Sequence, residues 1–177
     1  MNIIHTPLEG CFVIEPQVFG DARGSFMETY NQQKFPVDVH FVQDNQSLSQ
    51  KGVLRGLHFQ KGEYAQAKLV RVIRGEVLDV AVDIRPNSKT FGKHFSIVLN
   101  EENNKQLFVP RGFAHGFAVL QNDTIFAYKC DNFWNKEAES GIMYNDPDIG
   151  IDWMLKEDEI LLSDKDKILP NLKSLVQ

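Results

Sequence analysis

Residues 76–84, EVLDVAVDI, decide the fold class of this 177-residue chain. Apolar residues recur here at every second position, and residues two apart share one face of an extended strand. Those residues are Leu78, Val80, Val82 and Ile84. Asp79 and Asp83 fall on the opposite face. The alternation predicts a half-buried β-strand.

Other segments of the chain also have strand-like composition, with Gly, Pro, Asn and Asp between them. They span residues 11–18, 25–30, 39–43, 53–60, 68–73, 91–99, 106–109, 116–120 and 124–130. Helix-like pattern is limited to a turn at 31–35 and to 156–177, which Pro170 interrupts. Many short strands without strand–helix alternation favour an all-β sandwich or barrel. We therefore expect one jelly-roll-like domain over 1–177, with an irregular-to-helical C-terminal extension from about residue 155.

Charge and composition narrow the classes of partner. The net charge is −5 and the pI is about 5.5, which argues against a surface for nucleic acid or anionic lipid. No window reaches the roughly 18 apolar residues that a membrane-spanning helix needs. Residues 1–10 lack the basic start of a signal peptide, and two cysteines, Cys11 and Cys130, are too few for a disulfide framework. We expect a cytoplasmic protein.

Three polar side chains fall on strand faces that could line a barrel interior. Strand parity groups Lys68 with Val70 and Val72, Tyr128 with Phe126 and Cys130, and His58 with Leu54, Gly56 and Gln60. Burying such groups costs several kcal/mol unless they are paired or functional. Two interpretations remain open: a catalytic trio, or a snorkelling lysine, a hydrogen-bonded core tyrosine and a satisfied core histidine.

The spacing PxGxxH in residues 110–115 resembles the second conserved box of cupin barrels, which often bind a divalent metal. The corresponding first box usually carries a second histidine two residues after the first, but Gln60 stands at that place after His58. His58 and His115 alone fall short of the three protein ligands typical of catalytic sites, although Glu63 could supply a third. The sequence predicts no metal.

Ordered motifs along nearly the whole chain resemble the dTDP-4-dehydrorhamnose 3,5-epimerase family. They are FGDARG (19–24), FVQDNQS (41–47), VLRGLHFQ (53–60), KLVR (68–71), GEVLDVAVDIR (75–85), FVPRGFAHGF (108–117), YKCDNFW (128–134), NDPDIGIDW (145–153) and LSDKD (162–166). The resemblance implies a jelly-roll homodimer in the rhamnose branch of sugar-nucleotide synthesis. It also implies a dTDP-4-keto-6-deoxyhexose substrate, inverted at C3 and C5 without metal or organic cofactor.

The resemblance assigns catalytic roles to four residues. A 4-keto group acidifies the hydrogens on both neighbouring carbons, so inversion needs a base, an acid and a group that stabilises the enolate. His58 suits the base, since imidazole titrates near neutral pH. Its carboxylate partner is Asp166 by resemblance, with Asp164 as an alternative. Tyr128 can return a proton from the other side, and Lys68 can stabilise the charge on O4.

Further residues match substrate-contacting positions of the family. They are Arg23 and Arg55 near the diphosphate and sugar, His115 by the sugar, and Glu28, Gln43, Asn45, Trp134, Glu139 and Lys165. Arginine suits phosphate because its planar fork binds two oxygens at once. Arg23 and Glu28 could reach into a partner subunit's site. The competing interpretations are turn chemistry for 21–24 and ordinary surface salt bridges for Arg55 and Lys165.

Trp134 departs from the family pattern, because a second tyrosine is common there. Tryptophan keeps a flat aromatic surface and an N–H donor but lacks the phenol. Packing of Trp134 against the sugar or base accounts for a tryptophan at this position. Whether the protein inverts both C3 and C5 stays open. The alternatives are a 3-epimerase, an epimerase of another nucleotide-linked 4-keto sugar, and a non-catalytic sugar-nucleotide binding protein.

Overall fold

The computed structural model describes residues 1–175, and the last two residues of the expected extension, Val176 and Gln177, lie outside that range. Short strands make up most of its regular structure. In chain order they are β1 (Asn2–His5), β2 (Phe12–Glu15), β3 (Val18–Asp21), β4 (Gly24–Met27), β5 (Gln43–Ser49), β6 (Leu54–Gln60), β7 (Lys68–Arg74), β8 (Glu76–Asp83), β9 (His94–Asn100), β10 (Gln106–Val109), β11 (Phe113–Val119), β12 (Thr124–Cys130) and β13 (Glu139–Gly141). Single 3₁₀ turns lie at Gln32–Lys34, Gly62–Tyr64, Glu157–Glu159, Asp166–Ile168 and Leu172–Leu175.

Two antiparallel sheets carry the fold. One has six strands in the order β1-β2-β10-β7-β12-β5, and the other has five in the order β13-β6-β11-β8-β9. Strands β3 and β4 form a separate hairpin that joins neither sheet. The predicted all-β jelly roll is confirmed. None of the helices in residues 1–175 is long and apolar enough to cross a membrane.

The main core lies between the sheets. Val70 and Val72 of β7 and Phe126 of β12 meet Val77 of β8 and Phe117 of β11 there. The outer face of the six-stranded sheet is covered by an aromatic cluster from the segment 30–41. The outer face of the five-stranded sheet is covered by the chain after β13, including its C-terminal turns. The expected extension is thus an integral layer of the domain.

Strand β8 is buried on both faces, so the prediction of a half-buried strand is wrong. Leu78, Val80 and Val82 pack outward under Trp153 and the C-terminal segment. Because that segment covers the sheet, no face of β8 is left for solvent. Asp79 and Asp83 are fully buried as well, and side-chain hydrogen bonds compensate for their lost hydration.

The expected strand at 39–43 is also wrong, because the strand in this region is β5, Gln43–Ser49. Its sequence, QDNQSLS, has little intrinsic strand propensity. Pairing with β12 along its whole length imposes the extended conformation. Strands β1 and β13, which the sequence did not indicate, form by pairing with β2 and β6. The expected turn at 31–35 is confirmed as Gln32–Lys34.

Candidate active site

A cavity of about 700 Å³ opens beside the core, between the inner faces of the sheets and the C-terminal segment. Strands β5, β6, β7, β11, β12 and β13 contribute its walls, together with residues 161–166. Nine of the thirteen residues expected in the site line it. They are Asn45, Arg55, His58, Lys68, His115, Tyr128, Glu139, Lys165 and Asp166.

An irregularity in β6 brings Arg55 and His58 to the same cavity. Arg55 lies opposite Phe117 of β11, and His58 lies opposite His115. The two β6 residues are three positions apart in sequence, whereas their β11 partners are only two apart, so β6 has one extra residue here. This is a β-bulge, which changes strand parity by one residue. The expected grouping of His58 with Leu54 is therefore wrong, since Leu54 packs in the outer cluster.

Gly56 lies in the bulge and has a φ of +125°. A Cβ at this position would lie 2.6 Å from the Cα of Gly116 and 2.8 Å from the carbonyl oxygen of His115. Only glycine allows both the backbone conformation and the close approach of the two strands. The local sequence RGLH thus serves the site as well as the sheet.

His58 and Asp166 form a hydrogen-bonded pair in the cavity wall. The distance from Nε2 of His58 to Oδ1 of Asp166 is 2.5 Å, and Asp166 is only 2% exposed. With the carboxylate as acceptor, Nε2 carries the proton and Nδ1 is left as the basic nitrogen. Burial raises the pKa of Asp166, but hydrogen bonds from His58 and Ser163 outweigh burial and hold that pKa below its ordinary value. The pair is therefore built to stabilise an imidazolium.

The alternative partner, Asp164, does not contact His58. Its side chain is 99% exposed and forms an ion pair with Lys167 at 2.9 Å. The C-terminal segment selects Asp166 because Leu161 anchors it beside β6: Leu54 N–H donates to the Leu161 carbonyl at 3.0 Å. The 3₁₀ turn that follows points Asp166 inward.

Lys68 and Tyr128 stand side by side on the six-stranded sheet. Lys68 begins β7 opposite Cys130, and its Nζ lies 5.8 Å from the centroid of the Tyr128 ring. Neither makes a side-chain hydrogen bond or ion pair to residues 1–175. Burial lowers the pKa of Lys68 and raises that of Tyr128. The amine of Lys68 and the phenol of Tyr128 thus face the cavity, and no described residue accepts a hydrogen bond from either.

A second carboxylate–imidazole pair was missed by the sequence reasoning. Nε2 of His115 lies 3.0 and 2.9 Å from the two carboxylate oxygens of Asp79, which is fully buried. The signal was present, since Asp79 shares a strand face with the core residues Val77 and Ala81. An inward aspartate of this kind requires a partner.

The remaining predicted residues fall into two groups. Gln43 and Trp134 line an adjoining cavity of about 530 Å³ that shares Asn45, His58, Lys68, Tyr128 and Glu139 with the first. The backbone N–H of Trp134 donates to Oε1 of Gln43 at 2.9 Å. Lys165 forms an ion pair with Glu139 at 2.6 Å in the cavity wall, whereas Arg55 forms none within the described residues and donates a 3.5 Å hydrogen bond to Ser49.

Arg23 and Glu28 lie outside both cavities of this chain. The Arg23 side chain is 90% exposed and pairs with Asp21 across the β3–β4 turn, as the turn interpretation expects. Glu28 pairs with Lys34 at 2.9 Å. A single chain does not bring these two residues to the site.

The polar residues of the cavity do not form a metal site. His58 and His115 face each other across β6 and β11, but each Nε2 is engaged by a carboxylate. Glu63, which could have supplied a third ligand, is exposed and outside the cavity. Within residues 1–175, no three His, Cys, Asp or Glu residues are grouped to hold an ion.

Sequence comparison places these features in a known family. Residues 5–174 match the family described as dTDP-4-dehydrorhamnose 3,5-epimerase. The chain belongs to the dTDP-4-dehydrorhamnose 3,5-epimerase family. The family member from Escherichia coli K12 is 51% identical over 181 residues, covering 100% of this chain and 97% of the relative.

Solved structures of family members have the same fold. The enzyme of this name from Elizabethkingia anophelis superposes with a TM-score of 0.95 at 54% identity, covering 98% of this chain and 97% of that one. The Legionella pneumophila dTDP-6-deoxy-D-glucose-3,5-epimerase superposes at 0.93 and 47%, covering 97% and 93%. That structure holds dTDP-4-keto-L-rhamnose. Family members are carbohydrate epimerases, a class of isomerase.

Proposed function

We propose that this chain converts dTDP-4-keto-6-deoxy-D-glucose to dTDP-4-keto-L-rhamnose by inverting C3 and C5. The observation that carries the proposal is the hydrogen-bonded pair of His58 and Asp166, which shares one cavity with Lys68 and Tyr128. The bound 4-keto sugar nucleotide in the Legionella relative supports the choice of substrate.

The proposed reaction begins with proton abstraction by Nδ1 of His58. The C–H electron pair moves into the sugar and gives an enolate with negative charge on O4. Lys68 lines the same cavity, and its ammonium form stabilises that charge as it develops. Asp166 stabilises the imidazolium and holds the ring in the required tautomer.

Tyr128 completes the inversion. Since burial raises its pKa, the phenol is protonated at neutral pH and can donate its proton to the carbon. Protonation on the face opposite His58 inverts the configuration. Before a second round at the other carbon next to C4, the His58 imidazolium loses its proton to solvent and the Tyr128 phenolate takes one up, so the same groups act again with no net change in protons. Neither round needs a metal or cofactor.

The sugar nucleotide brings its own negative charge to an acidic protein. Arg55 and Lys165 place cations in the cavity wall, where the diphosphate would bind. Asn45, Glu139 and His115 offer hydrogen-bonding groups for the sugar, and Trp134 and Gln43 line the adjoining cavity. Local charge thus offsets the overall −5.

The proposal includes a homodimer. The β3–β4 hairpin pairs with neither sheet and exposes Phe19 and Phe26, while β5 is an edge strand of the six-stranded sheet. Isolated hairpins and free edges are suited to pairing between chains. A partner's hairpin at the site would supply Arg23, which is otherwise remote. We place the enzyme in the cytoplasm, where Cys11 and Cys130 remain free thiols.

Proton exchange with solvent tests the function directly. Incubation of the enzyme with the substrate in heavy water is expected to introduce deuterium at C3 and C5. Deuterium at C3 alone would identify a 3-epimerase and give Trp134 a role in the missing second inversion. If exchange occurs with another nucleotide-linked 4-keto sugar and not with this one, that other sugar is the substrate. Binding without any exchange would indicate a non-catalytic protein.

A further inference from the structure

The loop that carries Phe133 and Trp134, residues 131–138, holds two large aromatic side chains outside the hydrophobic core. Phe133 is 63% exposed and Trp134 is 55% exposed. Neither packs in any core cluster among the described residues. Core packing therefore does not position these residues, and hydrogen bonds to the loop backbone hold the segment that carries them.

Gln60 supplies the bonds on both sides of Trp134. Its Nε2 donates to the Phe133 carbonyl at 3.1 Å, and its Oε1 accepts from Asn135 N–H at 2.6 Å. The same Nε2 donates to the Tyr64 carbonyl at 2.7 Å. One amide side chain thus joins the residue before Trp134, the residue after it and the 3₁₀ turn after β6.

The position of Gln60 connects this loop with the catalytic strand. Gln60 is the last residue of β6, two residues after His58, and is only partly accessible at 7%. It lies opposite Glu139 of β13. Two further glutamines bind the loop backbone. Gln43 accepts from the backbone N–H of Trp134 at 2.9 Å, and Gln66 donates to the Asn132 carbonyl at 2.8 Å.

We propose that Gln60 is a positioning residue that holds the Trp134 indole at the adjoining cavity of about 530 Å³, where it can contact the sugar nucleotide. The inference rests on the proposed function, because it takes Trp134 to contact the substrate. A preformed aromatic surface binds without first having to be ordered, which favours affinity. Gln60 itself acts through the loop and performs no proton transfer.

The test compares Gln60→Leu with Gln106→Leu as a matched control. Gln106 is a buried strand glutamine that donates to the Thr29 carbonyl at 3.0 Å and makes no hydrogen bond to residues 131–138. Both leucine variants remove a buried hydrogen-bonding amide, so both are expected to lower thermal stability. Gln60→Leu is expected to raise KM about tenfold with kcat changed less than about threefold, whereas Gln106→Leu leaves KM unchanged.

A second measurement reads the loop without any reaction. In a Trp153→Phe background, Trp134 is the only tryptophan of the chain, which has two. Gln60→Leu is expected to increase the quenching of Trp134 fluorescence by acrylamide about twofold and to weaken dTDP binding about tenfold. Quenching is measured on the free protein, so it does not depend on whether the proposed reaction is correct.

Gln60→Glu keeps the test valid if the leucine variant does not fold. This change retains the acceptor for Asn135 N–H but removes both donors, and an intermediate increase in quenching and KM is expected. Wild-type quenching and KM in the Gln60 variants would overturn the inference. Equal increases in KM for Gln60→Leu and Gln106→Leu would also overturn it, because general destabilisation would then suffice.

Discussion

At the scale of single residues, His58 and Lys68 differ in whether another side chain binds them. This difference decides the chemistry of each. Without Asp166, His58 would be a partly buried imidazole with no carboxylate to fix its tautomer. Lys68 makes no ion pair within residues 1–175, so its amine is available to the substrate. The structure thus pairs the base and leaves the electrophile unpaired, which is the arrangement that enolate chemistry requires.

Replacing Asp166 tests the pair. Asp166→Asn is expected to lower kcat by about 10²-fold or more with little change in KM, because the imidazolium loses the negative charge of its partner even though the asparagine amide oxygen can still accept from Nε2. Steady-state kinetics and deuterium exchange measure the effect. Asp164→Asn is the control, since the Asp164 side chain is 99% exposed and pairs with Lys167, and it is expected to retain wild-type rates. A large loss in the control and none in Asp166→Asn would reverse the assignment.

The pH dependence of kcat tests Lys68. Burial lowers its pKa from the ordinary 10.5, so the ammonium loses its charge at a lower pH than an exposed lysine would. Activity should therefore fall as pH rises toward 10.5, with a midpoint below that value. Burial moves the pKa of Tyr128 upward from its ordinary 10.0, so a limb with its midpoint below 10 does not come from Tyr128. Lys68→Met should remove the limb and lower kcat by about 10²–10³-fold. An alkaline limb that persists in the variant would exclude Lys68 as its source.

At the scale of elements, strand β6 shows how a local irregularity builds a site. A regular strand would place Arg55 and His58, three residues apart, on opposite faces. The bulge places both in the cavity, and β6 ends with Gln60 under the aromatic loop. One strand therefore contributes a cation, a base and a positioning residue.

Gly56→Ala tests the bulge. The added methyl group meets Gly116 Cα at 2.6 Å, and φ at this position is +125°. The free energy of unfolding is expected to fall by about 2 kcal/mol or more, and kcat should fall because Arg55 and His58 move apart. Chemical denaturation and kinetics provide the two measurements. Gly62→Ala is the comparison, since φ is positive there too but no atom lies within 4 Å of the added Cβ. A smaller loss in Gly56→Ala than in Gly62→Ala would contradict this account.

At the scale of the whole molecule, the proposed dimer explains why Arg23 and Glu28 lie far from the cavity of their own chain. The hairpin that carries Arg23 has little packing of its own, since Phe26 is 71% exposed. An exposed aromatic hairpin of this kind is typical of a surface that another chain covers.

Subunit complementation tests the arrangement. Arg23→Ala and His58→Ala should each be nearly inactive alone. If Arg23 acts in the partner's site, a mixed dimer has one complete site, and an equal mixture should regain roughly a quarter of wild-type activity after subunit exchange. If Arg23 acts only in its own chain, the mixture should stay inactive. Sedimentation measurements of each variant show whether dimers persist.

The sequence by itself determined the all-β class, through alternating residues such as those of β8, and strand parity identified Lys68 and Tyr128 as polar groups on inward faces. Those are local properties, because strand parity depends only on neighbouring residues. The tertiary structure decided between Asp166 and Asp164 as the partner of His58, and it alone decided that Asp79 pairs with His115 and that the polar segment Gln43–Ser49 is a strand. Contacts between distant segments depend on which strands pair and where a bulge shifts the register, and neither is encoded in the periodicity of any single segment.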